Sequence, residues 1–240
     1  MASFSTRGRS RLWAYGGVLV LTAAAAAAAL LAVQSVSAQG SGSGVTPPSA
    51  VSPDPATLTI ALLGEDTAAL AQPGVPQTWP ELVADDLDAS LLDLSAVGAG
   101  FATSADVRPC DADFCPAILD AVPDAVAADA DVVIVSADTA DASVSRSELR
   151  TRAAAVFAAL QVGLPSAQIV VVGPASTSPA PPEVTTIEGI LKAAASQAGV
   201  RFISLLSPSA VTEDDVDDDG LIDTNGQEAI AERVLRSIGG

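Results

Sequence analysis

The chain has 240 residues and a net charge of −18 at pH 7, with 29 acidic residues, 11 basic ones and no histidine. So acidic a surface repels nucleic acid and anionic lipid headgroups, so no nucleic-acid partner is expected. Aromatic residues make up only 3%, so a core must be built from Ala, Val, Leu and Ile. With two cysteines and no histidine, a zinc site is not expected either.

The charge is unevenly placed. Arg7, Arg9 and Arg11 stand in a short basic N-terminus (residues 1–11), and the first acid is Asp54. Leu12 to Val33 is an uncharged run of 22 residues, long enough to span a bilayer, which needs about 20. The preceding arginines predict a cytoplasmic N-terminus and an exported remainder, a single-pass anchor at the cell membrane. The alternative is a signal peptide: Val36-Ser37-Ala38 is a small-residue cleavage site that would release a secreted chain. Residues 34–56 are rich in Gly, Ser, Pro and Val with one acid, a linker composition that cannot bury a core.

Residues 57–240 alternate strand-like and helix-like segments and fit one domain. Thr57–Leu63 predicts a strand that stops at Gly64. Thr78-Trp79-Pro80-Glu81 is a capping box with proline in the first turn, and it opens a helix to about Asp88. Leu91–Leu94 predicts a second strand, 116–128 a helix, and Asp131–Ser136 an apolar buried strand. Ser145-Arg146-Ser147-Glu148 is a second capping box, opening an Ala-rich helix to about Val162. Gln168–Val172 is strand-like, Glu183–Ala198 helical, Val200–Leu205 strand-like and Asn225–Ile238 helical. Cys110 and Cys115 are close enough in sequence to pair outside the cytoplasm and pin a short loop. Five strands separated by helices predict a flavodoxin-like three-layer α/β/α sandwich on a five-stranded parallel sheet. In such sheets ligands bind beyond the carboxyl ends of the strands.

At those ends the chain resembles the SGNH (GDSL-type) hydrolases, a family of esterases and lipases, over about Thr57 to Ile238. Gly64-Glu65-Asp66 stands where the family has Gly-Asp-Ser, so the resemblance puts Asp66 at the nucleophile position. Ala96-Val97-Gly98-Ala99-Gly100 is similar to the second block, with Gly98 matching the oxyanion-hole glycine. Val135 to Asp141 occupies the place of Gly-x-Asn-Asp, with Ala140 replacing the oxyanion Asn and Asp141 retained. Asp219-Gly220 resembles the start of the final Asp-x-x-His block, but the histidine is missing and the chain has none elsewhere. A carboxylate at Asp66 is a poor nucleophile toward esters, no imidazole can act as base, and Ala140 has no donor for an oxyanion. The resemblance therefore implies a member without the family's catalytic residues. Thr67, one position on, could replace the nucleophile only with a carboxylate base such as Asp66 or Asp141.

Two carboxylate groups suggest cations. Asp215, Asp217, Asp219, Gly220, Leu221 and Asp223 follow the DxDxDGxID spacing of EF-hand-like calcium loops, in which Leu221 would offer its carbonyl. Gly226 stands where the bidentate acid belongs, so any calcium site is expected to be weak. Asp66, Asp138 and Asp141, with Glu65 nearby, could converge on a divalent cation or serve as turn and N-cap residues. The sequence thus predicts an exported SGNH-like binding or structural module, with a glycan or cell-envelope ligand implied by the resemblance. An active exported esterase with rearranged residues and a calcium-binding surface domain are the alternatives.

Overall fold

The structure is a computed structural model that describes residues 57–104 and 117–239. The basic N-terminus, the 12–33 span, the 34–56 linker, the Ala38 cleavage site and the Cys110–Cys115 pair lie outside the described residues. Among the described residues no helix is long and apolar enough to cross a membrane.

Five strands form one sheet: β1 (Leu58–Gly64), β2 (Ala89–Ser95), β3 (Val132–Ser136), β4 (Gln168–Val172) and β5 (Arg201–Ile203). Their order is β2-β1-β3-β4-β5, and every pairing is parallel. The helices are α1 (Trp79–Asp86), α2 (Ile118–Ala127), α3 (Arg146–Gly163), α4 (Pro182–Ala198) and α5 (Thr224–Ile238). This is the α/β sandwich expected from the alternation of apolar runs.

Strand alternation divides the core. Ala61, Leu63, Val133, Val135 and Val171 face one way and pack with Val122 of α2, Phe157 of α3 and Leu191 of α4. Ile60, Leu62, Val132, Ile134, Val170 and Val172 face the other way, against Trp79 and Val83 of α1 and Ile230 and Val234 of α5. The central strand β3 is buried at every residue, which is why its sequence runs apolar without alternation.

Both helix starts form where the capping residues place them. Glu81 accepts the Thr78 N–H at 2.6 Å, and at the second start Ser145 Oγ accepts the Glu148 N–H at 3.2 Å without the return bond of a full box. The two edge strands depart from expectation. β2 runs past Leu91–Leu94 to Ala89 and Ser95, because its register on β1 and not its hydropathy sets its length. β5 is three residues long because Ser204 Oγ accepts the N–H groups of Leu206 (3.2 Å) and Ser207 (3.1 Å), which turns the chain out of the sheet.

Candidate functional site

The chain leaves β1 through Gly64, whose φ of 111° belongs to the region that favours glycine. Gly64 lies in register with Ser136 of β3, and a side chain there would overlap the Ser136 carbonyl oxygen. The next three residues then fan out. The Glu65 carboxylate crosses to the loop after β2, where both of its oxygens lie 3.0 Å from the Gly98 N–H. Asp66 is half-buried, and its Oδ1 accepts the Ala68 N–H at 2.9 Å, the first N–H of a single 3-10 turn at Ala68–Leu70. Thr67 is buried and lines a cavity on the α1–α5 side.

Burial pushes the Glu65 carboxyl up to about 7, against the lowering effect of the Gly98 N–H and helped by the negative charges of Asp138 and Asp66. Asp138, half-buried after β3, is raised in the same direction, again chiefly by burial. Glu65 therefore keeps its proton in the fold up to about pH 7, whereas its ordinary value is 4.5. Between those limits the folded state binds more protons than the unfolded one, so stability falls as pH rises and levels off above about 7. Urea unfolding is expected to give a free energy on the order of 2 kcal/mol lower at pH 8 than at pH 5. Glu65→Gln is expected to remove most of that slope; an unchanged slope in the variant would mean that other groups set it.

The turn after β3 works differently. Asp141 is buried, and its carboxylate accepts the N–H groups of Phe101 (2.7 Å) and Ala102 (3.1 Å) and the Thr103 hydroxyl (2.9 Å). The same hydroxyl donates to the Ala140 carbonyl at 3.1 Å. Asp141 thus fastens the loop after β2 to the turn after β3. Phe101 of that loop meets Phe157 of α3 edge-on, with ring centroids 5.7 Å apart. Ala140 sits in the Thr139–Asp141 turn and does not line the cavity, whereas Asp138 does. Asp66, Asp138 and Asp141 do not converge: one caps a turn, one lines the cavity and one is consumed by the neighbouring loop.

In the acidic loop each donor faces its own backbone. Asp215 Oδ2 accepts the N–H and hydroxyl of Thr212, each at 2.7 Å. Asp217 Oδ1 accepts the N–H groups of Asp219 (3.0 Å) and Leu221 (2.9 Å). The Leu221 carbonyl accepts the Asp217 N–H (3.0 Å) and Gln72 Nε2 (3.2 Å). Asp223 is the N-cap of α5 and accepts the Gly226 N–H at 2.9 Å. Asp219 is exposed. Among the described residues no group of three or more carboxylates is arranged to hold a metal ion. The loop instead straps the β1 turn: the Ile222 N–H donates to Leu70 O at 2.8 Å, and the Gln72 N–H donates to Ile222 O at 2.9 Å.

Thr67, Trp79, Ser136, Asp138, Gln227 and Ile230 are among the residues around the cavity on the α1–α5 face. Gln227 is fully buried on the apolar stripe of α5, and its Oε1 accepts the Trp79 N–H at 2.8 Å, which ties the start of α1 to α5. Sequence reasoning did not single out Ser136 or Gln227. Both were marked only as polar residues in apolar patterns, Ser136 continuing Val132 and Ile134, Gln227 three residues before Ile230.

No family model matches the chain, and no curated protein matches it in sequence. Among solved structures it is similar to TesA, with a TM-score of 0.59 and 17% identity over 75% of this chain and 97% of TesA. It is similar to a family two carbohydrate esterase from Clostridium thermocellum in complex with cellohexaose, with a TM-score of 0.60 and 17% identity over 78% of this chain and 65% of the esterase. A third is a G-D-S-L family protein from Desulfitobacterium hafniense DCB-2, with a TM-score of 0.55 and 11% identity over 75% and 99% of the two chains. The chain spans about two thirds of the carbohydrate esterase, and identities this low carry fold alone. The described domain therefore has the α/β fold of the SGNH (GDSL-type) esterases.

Proposed function

We propose that this chain is an exported, membrane-anchored SGNH hydrolase-like domain that binds a cell-envelope ligand and does not hydrolyse esters. The observation that carries the reading is the Glu65 carboxylate on the Gly98 N–H, both oxygens at 3.0 Å. If Gly98 is the oxyanion-hole glycine, the donor that should meet a developing negative charge is already taken by the Glu65 carboxyl group. An occupied donor cannot stabilise an oxyanion without first releasing its partner. The rest of the site supports the same reading. Asp66 spends its carboxylate on the Ala68 N–H, and the chain has no histidine to take a proton. The uncharged run at 12–33 supports export and anchoring. A glycan is the ligand class favoured by likeness to an esterase whose structure contains cellohexaose.

The full chain in detergent, with short-chain nitrophenyl esters, tests this. Turnover is expected to equal that of an Asp66→Ala variant and of buffer, with or without millimolar calcium. Turnover that disappears in Asp66→Ala would overturn the reading and establish a hydrolase rebuilt on carboxylates. Turnover or a thermal midpoint that rises with calcium would restore the acidic loop as a calcium site. At tenfold excess over a millimolar Kd, calcium would add about 1.4 kcal/mol, or about 3–6 °C for a domain of this size.

A further inference from the structure

The cavity at the ends of the strands on the α1–α5 face has two lining hydroxyls, of Thr67 and Ser136, that no group among the described residues satisfies. It admits water-sized groups over about 70 Å³, room for roughly five, since one water needs about 10–15 Å³ on that scale. The alternation of β3 turns Ser136 to this face, after Val132 and Ile134. Ser136 is 6% exposed and Thr67 is 4% exposed. Among the described residues neither hydroxyl has a hydrogen-bond partner, yet no side-chain polar atom sealed from solvent is left unpartnered. The two hydroxyls are therefore reached through the cavity they line. Asp138 is the third polar group; only the neighbouring Thr139, through its backbone N–H and its hydroxyl at a long 3.4 Å, offsets its charge among the described residues. Trp79, Leu205 and Ile230 form apolar walls, and no Lys or Arg is among the lining residues.

A carboxylate facing a half-buried space without a cation is unfavourable, and its environment already raises its affinity for a proton. Water could satisfy the hydroxyls but would leave that charge uncompensated. We propose that this cavity binds a primary ammonium group carried on a short aliphatic stem. An ammonium offers three donors, and Asp138, Thr67 and Ser136 present three accepting groups around one space. The stem lies against Trp79, Leu205 and Ile230, as alkyl stems of charged groups do along apolar surface. The negative field of the chain draws in cations and keeps carboxylate ligands out. The inference rests on reading the strand ends as a binding site, and it narrows the ligand to one that bears an amine.

The test is titration of the isotope-labelled full chain in neutral detergent micelles with butylammonium, 1-butanol and butyrate, read on the Trp79 indole and the Ser136 backbone amide. Butylammonium is expected to give saturable shifts at both positions, 1-butanol to bind about tenfold more weakly, and butyrate to give none. Asp138→Asn is expected to weaken butylammonium by about tenfold or more and to leave 1-butanol unchanged. Ser136→Ala, which keeps the carboxylate, is expected to weaken butylammonium by about threefold to tenfold and serves if Asp138→Asn does not fold. Equal affinity for butylammonium and 1-butanol, undiminished affinity in both variants, or no saturable shift would overturn the proposal. Ester turnover measured on the same samples keeps the two readings apart. Turnover dependent on Asp66 with ammonium binding intact overturns the binding-module reading alone, whereas absent binding with absent turnover overturns the cavity proposal alone.

Discussion

Gly64→Ala is expected to remove about 4 kcal/mol of stability and to lower the thermal midpoint by about 8–16 °C, if the variant folds at all. Two effects add at this position. The backbone φ of 111° is strained for any residue with a Cβ, and the new methyl would fall on the Ser136 carbonyl oxygen of the adjacent strand. That oxygen also accepts the Glu65 N–H at 3.3 Å, so it cannot retreat without breaking the first hydrogen bond beyond the β1–β3 ladder. Gly74 is the control. It also has a positive φ, 96°, but nothing lies within 4 Å of a Cβ there. Gly74→Ala is expected to cost about 1 kcal/mol, the conformational term alone. Thermal unfolding of the two variants side by side separates strain from steric overlap. Similar losses at both positions would mean that the contact with Ser136 contributes little.

Asp141→Ala is expected to cost about 3–5 kcal/mol, because it strands two backbone N–H groups and a hydroxyl next to a buried turn. The carboxylate lies so close to the loop after β2 that a methyl on Gly100 would come within 2.5 Å of its Oδ1. No other side chain accepts from Phe101 or Ala102 among the described residues. Asp141→Asn keeps one oxygen acceptor and is expected to recover about half of the loss, as read by urea unfolding. The effect bears on the site as well as on stability. Residues 98–103 carry both Gly98 and Phe101, so releasing them frees the Gly98 N–H from its fixed relation to Glu65. Hydrogen exchange at Gly98 is expected to accelerate in Asp141→Ala. An unchanged Gly98 rate would show that Glu65 alone holds that loop.

The acidic residues beyond the strand ends thus act as fasteners. Asp141 ties the second loop to the third, Asp66, at the place of the nucleophile in the resemblance, caps the turn after β1, and Asp223 caps α5. Glu65, which stands at the Asp of Gly-Asp-Ser in the resemblance, holds Gly98, the glycine matched to the second block. A site built this way is rigid at the strand ends without needing a catalytic hydrogen-bond chain. The polar groups it leaves free, Thr67, Ser136 and Asp138, lie together on the α1–α5 face.

The amino-acid sequence by itself determined the sheet class, the strands β1, β3 and β4 to within a residue, and the five helices α1 to α5 to within two residues, because apolar periodicity and N-cap residues are local signals. It also determined that no imidazole chemistry is available, since that is a matter of composition. It did not determine the extent of the edge strands, which is set by what the neighbouring strand offers to β2 and by the Ser204 turn after β5. Nor could it assign the carboxylates. Spacing made Asp215, Asp217 and Asp223 look like convergent ligands, but in the fold each meets backbone N–H groups within four residues of itself or caps a helix. Glu65 and Gly98 are 33 residues apart, and Thr67, Ser136 and Gln227 come from the turn after β1, from β3 and from α5. Only the parallel register, which brings the ends of β1, β2 and β3 level, puts Glu65 on Gly98 and sets Thr67 and Ser136 beside Gln227 of α5 around one cavity, because partners across a sheet are chosen by strand order and not by distance along the chain.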